Sequence, residues 1–181
     1  MQLLSVHPAG IGVLIMKLGM TYLMLERFEE GCALLSQSVS LLRGADNPRL
    51  EVLGNALSGL CMGAAKLQRW DESQISGREA LPLLRAQGSG TLTNQFQCLF
   101  FLSLAPQPPE AALQWLEEGL LLGRELVPDT PTATMLSFML ERAADNLVAL
   151  GRRDAARDNL QEAVALWRGA VSAGDAAASA S

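Results

Sequence analysis

The sequence predicts an all-α chain built from about four antiparallel helix pairs. Three observations carry that prediction. Apolar residues recur with helical spacing through segments of about 40 residues. Strand signals are nearly absent, because β-branched and aromatic residues are few and nothing alternates polar with apolar for long. Helix stops and starts fall at regular places: Gly44-Ala45-Asp46-Asn47-Pro48, Gln87-Gly88-Ser89-Gly90-Thr91 and Pro128-Asp129-Thr130-Pro131. The first and third join a capping residue to a proline suited to a first helical turn, where a missing N–H costs nothing.

Each long segment divides again. The dividing points are Glu26-Arg27-Phe28-Glu29-Glu30, Gln68-Arg69-Trp70-Asp71-Glu72, Pro106-Gln107-Pro108-Pro109-Glu110 and Gly151-Arg152-Arg153-Asp154. Eight helices are therefore expected near 9–25, 28–43, 48–67, 71–86, 91–105, 109–127, 131–150 and 153–170. Pro82 falls inside the fourth and is expected to kink it or end it early, since it removes a donor and crowds the preceding turn. Gly88-Ser89-Gly90 reads as a linker: it is too short for a phosphate-binding loop and no Lys follows it.

Aligning the turns places Phe28, Trp70, Pro109 and Arg153 at one repeat position, with separations of 42, 39 and 44 residues. Three positions later stand Gly31, Ser73, Ala112 and Ala156; seven further on stand Ser38, Ala80, Gly119 and Ala163. Two columns of small residues point to close helix–helix approach, because a small side chain lets one helix back onto its neighbour's ridges.

The first unit reads Leu18-Gly19-Met20-Thr21-Tyr22, then Gly31, then Leu35. This resembles the L-G-x2-Y…A-x3-F skeleton of the tetratricopeptide repeat, with Gly and Leu in place of Ala and Phe. The stretch from Leu150 to Ala163 looks like the turn and second helix of such a repeat. The two middle units diverge, and Cys61 and Ala64 replace the Gly and Tyr in the second. The spacing is longer than the usual 34 and resembles the long units of large bacterial signalling and transcription regulators. The resemblance implies a right-handed α-α superhelix over 9–170, with units 9–45, 46–88, 89–128 and 129–170. An N-terminal extension at 1–8 and an Ala/Ser-rich flexible tail at 171–181 complete the expected organisation.

The chain has 181 residues, of which 49% are hydrophobic and 18% charged, against roughly 25% charged in an ordinary soluble domain. Mean hydropathy is +0.19. Such a chain has ample surface to bury and is not a disordered one. The net charge is -5, which argues against nucleic-acid binding through phosphate neutralisation. The most apolar N-terminal window, Ile11 to Leu25, is too short for a membrane span, carries Lys17 at its middle and has no basic residue before it. A soluble, cytoplasmic protein is expected.

Reagents for chemistry are scarce. His7 is the only histidine, beside Pro8, and no constellation surrounds it in sequence. Cys32, Cys61 and Cys98 are odd in number and widely spaced, the pattern of reduced, buried thiols rather than a disulfide frame or zinc site. Glu29-Glu30 opens a helix, where negative charge complements the dipole, and Glu117-Glu118 reads as a solvated face. No motif for a hydrolase, metalloprotease, nucleotide or dinucleotide site occurs. No enzyme activity, cofactor or metal is expected.

The resemblance implies that the first helix of each pair lines a concave wall. Its candidate partner-binding residues are Met16, Met20 and Met24, then Asn55, Met62 and Lys66, then Asn94, Gln97 and Phe101, then Phe138, Glu141 and Asp145. With Lys66 the only basic member, the cationic clamp by which chaperone-binding relatives hold a terminal carboxylate is missing. Pliable Met side chains suit an apolar or amphipathic helical partner, and the amides suit an extended backbone. Met16, Met20 and Met24 at i, i+4, i+8 also fit a simple core stripe. The expectation is a non-catalytic scaffold binding a peptide or helix of another protein. The alternative is a sensor holding a small apolar or peptide signal, which would need a deep pocket around Met20, Met62 and Phe101.

A repeat stack needs polar caps. Here the first helix carries Ile11, Val13, Leu14, Ile15 and Met16, and the last carries Leu160, Val164, Leu166, Trp167 and Val171. Either the chain self-associates through a terminal helix pair or it continues a longer array.

Overall fold

The computed structural model describes residues 8–46, 48–126 and 130–178. They form eight α-helices and no strand: α1 Pro8–Met24, α2 Phe28–Arg43, α3 Leu50–Lys66, α4 Trp70–Arg85, α5 Leu92–Leu104, α6 Pro109–Leu126, α7 Thr130–Ala149 and α8 Arg153–Ala178. A short 3-10 turn, Gly88–Thr91, precedes α5 where a linker was expected. Thr91 closes it by donating to the carbonyl oxygen of Leu84 (2.7 Å), with that of Gly88 3.1 Å away. No helix among the described residues is long and apolar enough to cross a membrane. His7 lies outside the described residues.

Two expectations differ from the structure. Pro82 does not end its helix early; α4 runs past it to Arg85, and the Pro82 carbonyl accepts from Ala86 N at 3.1 Å. The ring costs one intrahelical bond and crowds the preceding turn, but the helix ends only three residues later. The flexible tail expected from 171 onward gives way to helix as far as Ala178, which suits an alanine-rich segment.

The helices gather into two compact units that divide between Ala105 and Pro106. Ala105 is extended (φ −60°, ψ 142°), the conformation that a following proline imposes, and Pro108 and Pro109 come next. In the first unit α1 packs on α2, α2 on α3, α3 on α4 and α4 on α5, while α3 also meets α1 and α5. Thus α1, α3 and α5 are neighbours in one row, with α2 and α4 behind it. In the second unit α6 packs on α7 and α7 on α8.

Three of the four turns inside the helix pairs are the same structure. Glu26, Gln68 and Gly151 adopt the left-handed conformation at φ 59°, 58° and 75°. Around them the following residue donates back five positions: Arg27 N to Tyr22 O (2.9 Å), Arg69 N to Ala64 O (2.8 Å) and Arg152 N to Leu147 O (2.8 Å). The left-handed residues donate back three: Glu26 N to Leu23 O (3.0 Å), Gln68 N to Ala65 O (3.0 Å) and Gly151 N to Val148 O (2.9 Å). This is the Schellman closure, which satisfies the carbonyls that a helix end leaves open. The proline-rich turn at 105–109 replaces it in the remaining pair.

Both small-residue columns are interior. Gly31, Ser73, Ala112 and Ala156 are buried, as are Ser38, Ala80, Gly119 and Ala163. A Cβ on Gly31 would lie 2.5 Å from Leu23 Cδ2, and one on Gly63 would lie 2.5 Å from Cys32 Sγ. The two serines are satisfied as donors, Ser38 to Gly12 O (2.7 Å) and Ser73 to Cys61 O (3.0 Å), so they add no unpaired polar group to the core. Around them Leu35, Leu42, Leu84, Phe96, Leu99 and Leu102 fill the first unit. Leu116, Leu136, Met139 and Leu140 fill the second. Each such side chain contributes about 1.5–3 kcal/mol when withdrawn from water.

Two ion pairs occupy one repeat position. Arg43 binds Glu79 through both carboxylate oxygens (2.6 Å to Oε1), and Arg124 binds Glu162 in the same way (2.8 and 2.7 Å). In each case the last turn of one second helix reaches the middle of the next.

The left-handed turns give a stability test. A side chain costs about 1 kcal/mol or more in that conformation, whereas Gly does not. Gln68→Gly is expected to raise the unfolding free energy by about 0.5–1 kcal/mol and Gly151→Ala to lower it by about 1 kcal/mol, both read from urea denaturation. The same sign of change in both variants would show that the turns do not set the helix ends.

Candidate binding cleft

The row of first helices carries side chains that meet in one place. Met20 comes from α1, Asn55, Ser58, Gly59 and Met62 from α3, and Asn94 and Gln97 from α5; together they line a cleft of about 30 Å³. The reason they meet is the packing of α3. A Cβ on Gly59 would stand 2.6 Å from Met20 Sδ and 2.9 Å from Leu35 Cδ1, so only glycine lets α1 and α2 approach α3 this closely. On the other side Asn94 donates through Nδ2 to Asn55 Oδ1 at 2.8 Å. That bond joins α5 to α3 across the cleft floor.

The chemistry of this lining is amide and thioether. With one mutual bond made, the pair retains the Asn55 amide hydrogens and the Asn94 oxygen, a donor and an acceptor of the kind a peptide unit needs. Gln97 adds another amide, and Met20 and Met62 offer polarisable apolar surface; all three are half-buried. A volume of about 30 Å³ takes a side-chain end or a water molecule, far below the roughly 300–1,000 Å³ of small-molecule sites.

Five of the twelve residues singled out in the sequence therefore meet: Met20, Asn55, Met62, Asn94 and Gln97. Met16 is half-buried beside them in sequence, and Met24 is 82% exposed, so the methionine stripe of α1 is not a core stripe. Lys66 is exposed at the end of α3. Phe101 corrects the reading: it is buried in the first unit and packs edge-on against Phe100 (5.1 Å, 75°), so it belongs to the core and lines no wall. The deep pocket around Met20, Met62 and Phe101 that a sensor would need is replaced by the shallow cleft. Phe138, Glu141 and Asp145 lie on α7 in the second unit. There Phe138 stands edge-on to Trp167 of α8 (6.0 Å, 89°), Glu141 is half-buried and Asp145 is exposed.

All three cysteines are free and buried. Nothing in their spacing indicates that two of them converge. Cys61 Sγ lies 3.5 Å from Ser73 Oγ and 4.0 Å from the carbonyl oxygen of Cys98, whose own thiol donates to Gly77 O at 3.5 Å. A hydrogen bond with Cys61 and burial together hold the Cys98 thiol well above its ordinary range. Burial pushes Cys32 up to about 11. The Cys32 and Cys98 thiols, so placed, stay protonated and act as small apolar groups.

A pH dependence follows. Ionisation of Cys32 is easier in the unfolded chain, near pH 8.5, than in the folded one. Its contribution to stability is complete below about pH 8.5 and is lost as pH rises toward 11. Denaturation midpoints measured from pH 7 to 10.5 are expected to fall in the native chain and to fall less in Cys32→Ala. Equal slopes would remove Cys32 as a cause. Comparison with protein-family models and with curated proteins finds no match to this chain.

Proposed function

We propose that the chain is a tetratricopeptide-like helical repeat protein that performs no chemistry of its own and binds a peptide or helix of a partner protein. The observation that carries this reading is the convergence of Met20, Met62, Asn55, Asn94 and Gln97 from three successive first helices on one cleft. The occupant is an extended or helical segment that lays one apolar side chain between the methionines. Its backbone meets the amides that Asn55 and Asn94 leave available. The recurrence of the same turn in three pairs and the burial of both small-residue columns support the repeat architecture and its superhelical stacking. A bacterial regulatory or assembly complex in the cytoplasm is the setting that the family resemblance suggests. The volume of the cleft favours this reading over a small-molecule sensor.

Selection of peptides from a displayed random library on the full chain tests the proposal. Met62→Glu and Asn94→Ala are each expected to weaken the selected peptides about tenfold or more, because a charge or a lost amide sits at the contact. Ile75→Glu, on exposed α4 surface, is expected to leave binding unchanged. Peptides that ignore both cleft changes and respond to Ile75→Glu would place the binding face elsewhere.

A further inference from the structure

The two terminal helices expose residues that every internal unit buries. On α8, Leu160 and Val164 are 44% and 47% exposed and Trp167 is 39% exposed. They stand at the repeat positions of Leu35, Val39 and Leu42 on α2, all buried beneath α3. The corresponding residues of α4 and α6 are buried as well, against helices that follow them in their own units. On α8 nothing among the described residues covers this face. An open groove of about 580 Å³ runs along it, with Val148, Leu160 and Val164 on its apolar floor and Arg153, Arg157 and Arg168 among its lining.

The opposite end shows the converse. Leu14 and Leu18 of α1 are 68% and 47% exposed. They stand at the positions of Ala56 and Leu60 on α3, which are buried. So α1 presents the face with which a first helix docks on the preceding pair, and α8 presents the face that receives one.

One ion pair of the internal joint has both of its counterparts here. Arg69, just before α4, forms an ion pair with Glu29 in the first turn of α2 while also meeting Glu72 (3.7 Å). The counterpart of Glu29 on α8 is Asp154, whose side chain is almost fully exposed and meets Arg157 of its own helix at 3.1 Å, a contact that Arg27 would share or replace. The counterpart of Arg69 is Arg27, which meets Glu30 just as Arg69 meets Glu72.

We propose that the chain associates head to tail, the exposed face of α8 in one copy receiving the exposed face of α1 in a second copy as α2 receives α3. Arg27 of the incoming copy then pairs with Asp154. The contact is heterologous: the two copies use different faces, and each keeps one face open. It is looser than the internal joint, because Lys17 and Thr21 occupy the places of Gly59 and Gly63, and Arg157 that of Cys32, and together they hold the helices further apart. The Arg43–Glu79 pair has no copy at this joint, since Gln37 stands where Glu79 does. This inference is independent of the cleft on α1, α3 and α5.

Sedimentation velocity of the full chain over rising concentration tests it. The wild-type chain is expected to show a sedimentation coefficient that increases with concentration. Val164→Glu, which closes the receiving face, and Leu18→Glu, which closes the docking face, are each expected to remain monomeric alone. Mixed in equal amounts, they are expected to form a one-to-one dimer that grows no further, because one good face survives on each. A wild-type monomer at every concentration, or a mixture that stays monomeric, overturns the proposal. So does loss of association in Val164→Glu with none in Leu18→Glu, which would mean that α8 meets α8. Should either variant lose its helical circular dichroism, charge reversal supplies the test. Asp154→Arg alone is expected to weaken association about two- to fivefold, and Arg27→Asp added to it in every copy to restore it. No restoration would place the contact elsewhere.

Discussion

The closeness of α3 to its neighbours is the constraint on which the first unit depends. At Gly59 and Gly63 there is no space for a Cβ: Met20, Leu23, Cys32 and Leu35 already fill it. A methyl group at either place would have to displace these side chains, and a packed core resists such a shift because it is as dense as an organic crystal. The row of α1, α3 and α5 exists because α3 is narrow on that side. The cleft is a consequence of the same narrowness. Met20 reaches the Asn55 and Met62 side of α3 only because Gly59 presents no side chain to it.

The turns keep that arrangement in register. Three pairs close through one hydrogen-bond pattern, so each second helix begins at the same phase relative to the first. A constant phase puts the small residues of both columns at the helix crossings, and it places Arg43 and Arg124 where each meets a glutamate of the following second helix. Exposed pairs of this kind are worth little singly. Their information lies in recurrence: the same two positions, one unit apart, meet in both compact units. Where the pattern is interrupted, at the proline-rich turn, the compact units separate.

Much of this was legible in the sequence, for reasons that differ by element. Seven helices match their expected spans closely because caps, glycines and prolines act locally. The columns at Gly31 and Ser38 were legible because steric exclusion leaves a compositional trace in every unit. Phe101 was not. On α5 a wall position and a core position differ by a fraction of a turn, and the proline-rich turn removes the register that would separate them. Nor could spacing show that Cys61 and Cys98 converge, since that requires knowing that α3 and α5 are neighbours. The methionine stripe was ambiguous on spacing alone. Its exposure depends on what packs against α1 in three dimensions, which no local pattern records. The division at Ala105 and Pro106 was also hidden, because a proline-rich turn reads alike whether it joins two helices of one unit or two units.

The same logic accounts for a composition that is rich in apolar residues and poor in charge. A stack of helix pairs makes two kinds of surface from one sequence pattern: a docking face on each first helix and a receiving face on each second. Within the first unit the two cancel, as α2 and α3 do. At α1 and α8 they do not, and there Leu14, Leu18, Leu160, Val164 and Trp167 keep the residue types that the internal positions bury. A terminal helix adapted only to water would carry polar residues at those sites, as capping repeats do. The retention of leucine, valine and tryptophan at the receiving positions, and of leucine at the docking positions, is what a joint between units requires. The placing of these residues makes the proposed contact directional, with a docking face on α1 and a receiving face on α8.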